Sequence, residues 1–190
     1  HVENPFSVAL EGDGFFQIRT ESGELQYTRD GSFEISPVAN GNMLCTSDGN
    51  PVLDAYGNQI ILPSNRVATD LVVNQDGTLA FPDGTGNPAV ITDANGRPVK
   101  FGIYQFNNPA GLSKEGSNNY SVTVASGAAV AENGNAAVKQ TKTHQYYTEA
   151  SNVDVANEMV NLIVAQRAYE MNSKAIQASD EMMQQANALR

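Results

Sequence analysis

All 8 prolines and all 16 glycines of this 190-residue chain lie at or before Gly134, so its last 56 residues hold neither of the two strong helix breakers. Within that stretch Ala156, Val160, Val164, Ala168, Met171, Ala175, Ala178, Met182, Ala186 and Leu189 follow one another at steps of three or four. The pattern predicts one long helix over residues 151–190. The mean step of about 3.67 is nearer to a straight helix than to the 3.5 of a left-handed coiled coil. A second apolar seam, Val155, Met159, Leu162, Tyr169, Ile176 and Met183, runs beside the first and is interrupted by Gln166, Ser173 and Asp180. Two seams call for partners on two sides. Ser151 and Asp154 are spaced as a capping box, with Ala150 and Val155 as a weak staple. Glu170 and Lys174 form a favourable i, i+4 pair.

A helix of about 38 residues would run roughly 57 Å, whereas a compact body of about 135 residues is roughly 35 to 40 Å across. The half from Tyr169 to Leu189 is therefore expected to project, with Met171, Ala175, Ala178, Met182 and Leu189 uncovered.

The rest of the chain reads as all-β. Short alternating runs are punctuated by Asp13-Gly14, Ser22-Gly23, Asp30-Gly31, Asn40-Gly41, Asp48-Gly49, Tyr56-Gly57, Asp76-Gly77, Asp83-Gly84 and Asn95-Gly96. Such pairs tolerate the positive φ of tight hairpins. Strands are predicted near 8–10, 15–19, 25–28, 32–35, 43–46, 59–62, 71–74, 78–81, 88–91, 99–106 and 120–124. The architecture expected is mainly β, of sandwich or barrel-like hairpins, with one long carboxy-terminal α-helix. Residues 1–134 would be the β region, with internal divisions near 65 and 110, and residues 135–150 a linker or extended segment. Residues 125–140, small and polar, read as a loop. The pair Asp48-Gly-Asn-Pro-Val52 and Asn95-Gly-Arg-Pro-Val99, and the pair Asp30-Gly-Ser-Phe33 and Asp76-Gly-Thr-Leu79, echo one another. Shared hairpin grammar accounts for both echoes without a true repeat. Phe15, Phe16, Tyr27, Phe33, Ile35, Leu44 and Val52 are expected to share one core, with Phe15 and Phe16 on opposite sides of their strand.

Composition narrows the function. Eleven basic and 21 acidic residues leave a net charge of -10, which disfavours nucleic acid as a partner. No apolar run approaches the roughly 18 residues that would insert in a membrane. Cys45 is the sole cysteine and reads as a small buried strand residue. Gly12-Asp13-Gly14 lacks the lysine and following helix of a phosphate loop. Asp48, Asn50 and Asp54, or Asp93 and Asn95, do not follow calcium-loop spacing and read as solvated turn residues. His144, apart from the terminal His1, has no partner set for zinc or for nucleophilic catalysis and reads as an exposed polar residue. Asp180 and Glu181 lie on the helix, away from any expected pocket. No catalytic residue, metal site or cofactor is predicted.

Three blocks resemble the bacterial flagellar rod and hook family. They are Ala9-Leu-Glu-Gly-Asp-Gly-Phe-Phe16, Tyr27-Thr-Arg-Asp-Gly-Ser-Phe33, and Ala150-Ser-Asn-Val-Asp-Val155 continuing through Gln166-Arg-Ala-Tyr-Glu-Met-Asn-Ser-Lys-Ala-Ile176. Phe106-Asn-Asn-Pro-Ala-Gly-Leu112 is similar as well. The resemblance implies a structural axial protein, with β domains in an outer wall and terminal helices lining a tube. Its likeness is to the distal rod members, with proximal rod and hook members as alternatives. It implies a homo-oligomeric helical tube, neighbouring rod and hook proteins as partners, a place in the flagellar basal body across the periplasm and cell wall, and passage through the flagellar type III export apparatus.

Family members carry a long amino-terminal helix before the first strand, so this chain, which begins HVENPF, reads as a fragment. The family also has a glycine in the approach to the helix, where this chain reads Gln145-Tyr-Tyr-Thr-Glu149. The assembly interface is expected on the seams and their rims: Val155, Met159, Val160, Leu162, Ile163, Val164, Arg167, Ala168, Tyr169, Glu170, Met171, Lys174, Ala175, Ile176, Met182, Met183 and Leu189. The competing class is a carbohydrate- or calcium-binding β module with a helical oligomerisation tail.

Overall fold

The computed structural model describes residues 2–83, 88–135, 137–150 and 154–188. The chain divides into two compact units, residues 1–149 and 150–190. The first is all-β and the second is a helix.

Fourteen strands are described in the first unit: β1 (Val8–Glu11), β2 (Phe15–Arg19), β3 (Leu25–Thr28), β4 (Glu34–Val38), β5 (Gly41–Cys45), β6 (Ile61–Leu62), β7 (Val72–Val73), β8 (Leu79–Pro82), β9 (Pro88–Val90), β10 (Ile103–Gln105), β11 (Ser113–Gly116), β12 (Asn119–Ser121), β13 (Val130–Ala131) and β14 (Lys142–Gln145). They form a six-stranded sheet in the order β11-β12-β3-β2-β10-β13, two three-stranded sheets, β4-β5-β6 and β7-β8-β9, and the pair β1-β14. All described pairings are antiparallel. None of the sheets closes into a barrel.

β2 and β3 begin and end where the alternation predicts. β11 was hidden because its Ser-Lys-Glu-Gly sequence has no apolar face. Its exposed charges suit the free edge that it occupies, where they discourage further pairing. The stretch expected to be a loop, 125–140, contains β13 and the buried residues Ser126 and Glu132.

The core explains the register of β2. Phe16 and Ile18 point into a large cluster with Phe33, Leu44, Val52, Ile60, Leu62, Leu79 and Phe101. Phe16, Phe33 and Phe101 meet with ring centroids 5.0 to 5.7 Å apart. Phe15 points to the other face and joins Tyr27, Phe106 and Leu112 in a smaller cluster. The single core expected for these aromatics is therefore two, one on each face of the six-stranded sheet, as side-chain alternation requires. Ile35 belongs to neither cluster and is 37% exposed on β4, an edge strand. Beneath Phe15 the neighbouring inward position is Gln17, buried but satisfied by donating to the Tyr27 hydroxyl at 3.3 Å.

Of the two echoes, that of 48–52 with 95–99 has matching backbone geometry, whereas Gly77 takes a φ of +81° and Gly31 no positive φ. Val52 N–H donates to the Leu44 carbonyl, Ile60 to Val52 and Leu44 to Ile60, closing a ring of three hydrogen bonds of 2.9 to 3.0 Å. A second ring joins Val99 to Ile91, Leu79 to Val99 and Ile91 to Leu79 at 2.8 to 3.0 Å. The hairpin 44–52 corresponds to 91–99. The third strand follows the hairpin in the first ring and precedes it in the second. Hairpin grammar accounts for the shared turn, and the two hairpins in addition share a closed ring of three hydrogen bonds whose third segment comes in a different chain order.

Two kinds of glycine punctuate the unit. Gly49 and Gly96 take φ of +82° and +75° at equivalent turns. Gly31, although part of an Asp-Gly pair, has no positive φ; a Cβ there would lie 1.8 Å from the Val8 carbonyl oxygen. Contact, not turn conformation, requires that glycine.

Candidate assembly helix

The second unit is one helix, α1 (Val155–Ala188). Asp154 caps it. Its Oδ1 accepts from the Ala156 N–H at 3.0 Å, its Oδ2 from the Asn157 side-chain amide at 2.9 Å, and its carbonyl from the Glu158 N–H at 3.0 Å. This is N-cap geometry, and the carboxylate also faces the positive end of the helix dipole. Asp154 thus takes the cap position that the expected capping box gave to Ser151, a residue that lies outside the described ones.

Every described side chain of α1, through Gln184, is exposed. Met171 is 67% exposed, Met182 66% and Ile176 63%. Val155, Met159, Val160, Leu162, Ile163, Val164, Tyr169 and Met183 are all at least half exposed. Ala168, Ala175 and Ala178 are exposed too, and the side chains of Ala186 and Leu189 lie outside the described residues. Exposed apolar area of this extent on one element is a property that interaction surfaces share.

At about 100° per residue, the apolar surface does not keep to one side. Met159 and Ile163 occupy a direction that Glu170, Lys174, Gln177 and Glu181 occupy later in the helix. Glu158 and Asn161 lie on the side that later carries Tyr169, Ile176 and Met183. The cause is the drift of about 20° per heptad along the second seam, Val155, Leu162, Tyr169, Ile176, Met183. Only the first seam runs the full length. The two halves of α1 consequently need cover from different directions. The rim charges Arg167, Glu170 and Lys174 are exposed, and no ion pair joins Glu170 to Lys174. Long solvated side chains gain little from such a pair.

The polar residues weighed for chemistry have structural partners. Asp54 is buried, not solvated, and its Oδ1 accepts from the N–H groups of Tyr56 and Asn58, both at 2.8 Å. Asp93 does the same for Asn95 and Arg97 and holds the Arg97 guanidinium at 2.8 to 2.9 Å. Those hydrogen bonds, the Arg97 N–H first, keep its carboxyl below the usual range. His144 pairs with Glu11 at 2.7 Å across β1 and β14. Cys45 is buried, and burial raises its thiol pKa. Among the described residues, no three His, Cys, Asp or Glu side chains are grouped to hold a metal. No described helix is long and apolar enough to cross a membrane.

Residues 9–81 match the family model described as the flagellar hook protein FlgE/F/G D1 domain. Residues 144–189 match the one described as the flagellar basal body rod FlgEFG protein C-terminal region, which spans the end of β14 and α1. The flagellar basal-body rod protein FlgG of Borreliella burgdorferi is 40% identical over 187 residues, 96% of this chain and 64% of that protein. FlgG of Caulobacter vibrioides is 36% identical over 191 residues, 100% of this chain and 66% of the relative. The flagellar hook-basal body complex protein FlhP of Bacillus subtilis is 37% identical over 173 residues, 89% of this chain and 59% of the relative. The chain thus spans about two thirds of the length of the curated relatives it matches. With matching blocks at both ends and this identity between them, the chain belongs to the flagellar rod and hook protein family.

Proposed function

We propose that this chain is part of a structural subunit of the bacterial flagellar basal-body rod, of the distal rod type, and that it assembles with copies of itself into a helical tube through α1. The observation that carries this reading is the row of large apolar side chains on α1, all at least half exposed. Each gains about 1.5 to 3 kcal/mol when fully covered. A head-to-tail contact that does not close into a ring propagates into a helical array. The full-length seam Val160, Val164, Ala168, Met171, Ala175 and Met182 supplies the continuous contact. Val155, Met159, Leu162 and Ile163 in the first half, and Tyr169, Ile176 and Met183 in the second, where the seam has rotated, meet different neighbours. Arg167, Glu170 and Lys174 set register from the rim.

The FlgG relatives support the distal rod assignment. They also support a site in the basal body; the partners proposed there are neighbouring rod and hook proteins, and the export route proposed is the flagellar type III apparatus. The test is the pair Met171→Asp and Ile176→Asp in the full-length protein. The expected outcome is loss of rod assembly and of swimming, with the melting of the β unit unchanged. A strain that swims normally overturns the reading.

A further inference from the structure

Three described residues other than glycine have positive φ. Ser117 and Asn118, at +45° and +59°, link β11 to β12 in a tight hairpin, where such angles are usual. Tyr146, at +66°, is different. It is bulky, lies outside a hairpin and follows directly on β14. A side chain is strained in this conformation, and such strain persists only where the surroundings impose it.

The surroundings are well specified. Tyr146 N–H donates to the Ser7 carbonyl, and its own carbonyl accepts from Val2 N–H, both at 2.8 Å. The preceding residue, Gln145, acts as a substitute strand. Its side-chain nitrogen donates to the Pro5 and Leu71 carbonyls, each at 2.7 Å, while its oxygen accepts from Val73 N–H at 2.9 Å. Thr143 adds bonds to the carbonyls of Gln75 and Asn74.

Three residues beyond Tyr146, Glu149 meets the Arg29 guanidinium at 2.8 Å. An exposed ion pair by itself contributes little. Arg29, however, is already held: it donates to the carbonyls of Gly12 and Gly14 at 2.9 and 3.0 Å and lies over the Phe15 ring. The entropy of fixing its side chain is met by those contacts, so Glu149 binds a preorganised partner.

We infer that Tyr146 and Arg29 are positioning residues for the assembly helix, a strained turn and an arginine clamp that together fix the last residues of the β unit. The segment that leads into α1 then starts from a set point and not from a loose end. The purpose assigned to the lock rests on the rod reading; the lock itself does not.

The measurement is backbone order in the full chain by nitrogen relaxation, with strand stability followed alongside. Order parameters at Tyr147, Thr148 and Glu149 should be near 0.85 and fall below about 0.6 on Glu149→Ala. Arg29→Ala should give the same fall, the double variant should add nothing, and Arg29→Lys should not rescue, because a point charge lacks the fork that spans the carbonyls of Leu10, Gly12 and Gly14 and the Glu149 carboxylate. Tyr146→Gly should fold about fivefold more favourably than Tyr146→Ala, since both lose the ring and only glycine relieves the backbone.

Unchanged order on Glu149→Ala, or Tyr146→Ala at least as stable as Tyr146→Gly, overturns the lock. If the order falls as expected and a Glu149→Ala strain still swims normally, the positioning role is overturned while the rod reading stands. Normal swimming by the Met171 and Ile176 variants would instead remove the rod reading and leave the lock intact.

Discussion

The two units spend their apolar residues in opposite ways. In the β unit Phe16, Ile18, Phe33, Val52, Leu53 and Leu79 are fully buried, and among the described residues no buried side-chain nitrogen or oxygen lacks a hydrogen bond. In α1 the valines, methionines, leucine, isoleucines and tyrosine are half exposed or more. Nothing is gained by presenting that surface to water. The contrast separates a part that is energetically complete within one chain from a part whose packing energy is still available to others. It also separates two classes of substitution, those that unfold the β unit and those that leave it folded and, on the proposed function, weaken assembly.

The largest effect expected within the β unit is at Phe16. Its ring contacts Phe33 and Phe101 at the centre of the main core, so Phe16→Ala should cost about 3 to 5 kcal/mol and lower the melting temperature by about 10 °C or more. Thermal denaturation followed by near-ultraviolet circular dichroism is the check. A shift of a degree or two would mean that this core is far looser than its burial indicates. The next effect divides two glycines that look alike in sequence. Gly31→Ala places a methyl against the Val8 carbonyl oxygen, which belongs to the backbone and cannot rotate away. The loss should be about 3 kcal/mol or more. Gly49→Ala meets open space and pays only for its φ of +82°, about 1 kcal/mol. Denaturant midpoints of the two variants should differ accordingly, and equal midpoints would remove the distinction.

These cases show how much the residues declare. β2, β3 and α1 were legible because their signals are local: alternating aromatics between turn pairs, and a long tract free of glycine and proline. The seam residues of α1 were legible for the same reason. What was not legible depends on partners far along the chain. β14 pairs with β1, Val8 lying opposite Gln145; residues 135–150 read as a linker or extended segment, and nothing near 142–145 names that distant partner. Gly31 reads as a turn glycine until Val8 is brought against it. The two rings through Leu44, Val52 and Ile60, and through Leu79, Ile91 and Val99, are visible in sequence only as a repeated turn. The permuted order of their third strand conceals the rest. The rotation of the apolar surface along α1 was present in the spacing of Val155, Leu162, Tyr169, Ile176 and Met183. It emerges only when both seams are placed on one helix.

Acid separates residues within the β unit by their turn chemistry. Burial acts to raise the Asp76 pKa but is outweighed by hydrogen bonds from the Thr78 hydroxyl and N–H, so the net shift is downward. Asp30 follows the same pattern, with burial opposed by Ser32 and Asn118. Glu11 is lowered first by its hydrogen bond to His144, and Asp93 first by that from Arg97 N–H. A carboxyl whose folded pKa lies below its unfolded value contributes stability above the unfolded value, about 4, and loses it as pH falls through the folded one. The melting temperature should therefore be level from pH 6 to about 4.5 and drop below about 4. Asp76→Asn should flatten part of that drop. A profile that is already falling between pH 6 and 5 would point to groups other than these.

The smallest expected effect is the one that tests the contrast most directly. Leu162→Ser and Met183→Ser each remove a large apolar side chain from the second seam of α1, one in each half of the helix. In a core, a truncation of this size costs about 2 to 5 kcal/mol. Here both side chains are already about 60% exposed in the single chain, so little burial is lost. The exposed helix also gains little from the surrounding structure, and serine is only a slightly poorer helix former than leucine. Each substitution should therefore shift the melting of the dilute chain by no more than about 0.5 kcal/mol, as for other surface positions. At concentrations where copies associate, the same variants should weaken self-association by far more, and the two effects should be separable by sedimentation at a series of concentrations. If either variant lowers the stability of the dilute chain by 2 kcal/mol, the side chain is covered within one molecule, and α1 belongs to the finished part of the structure after all.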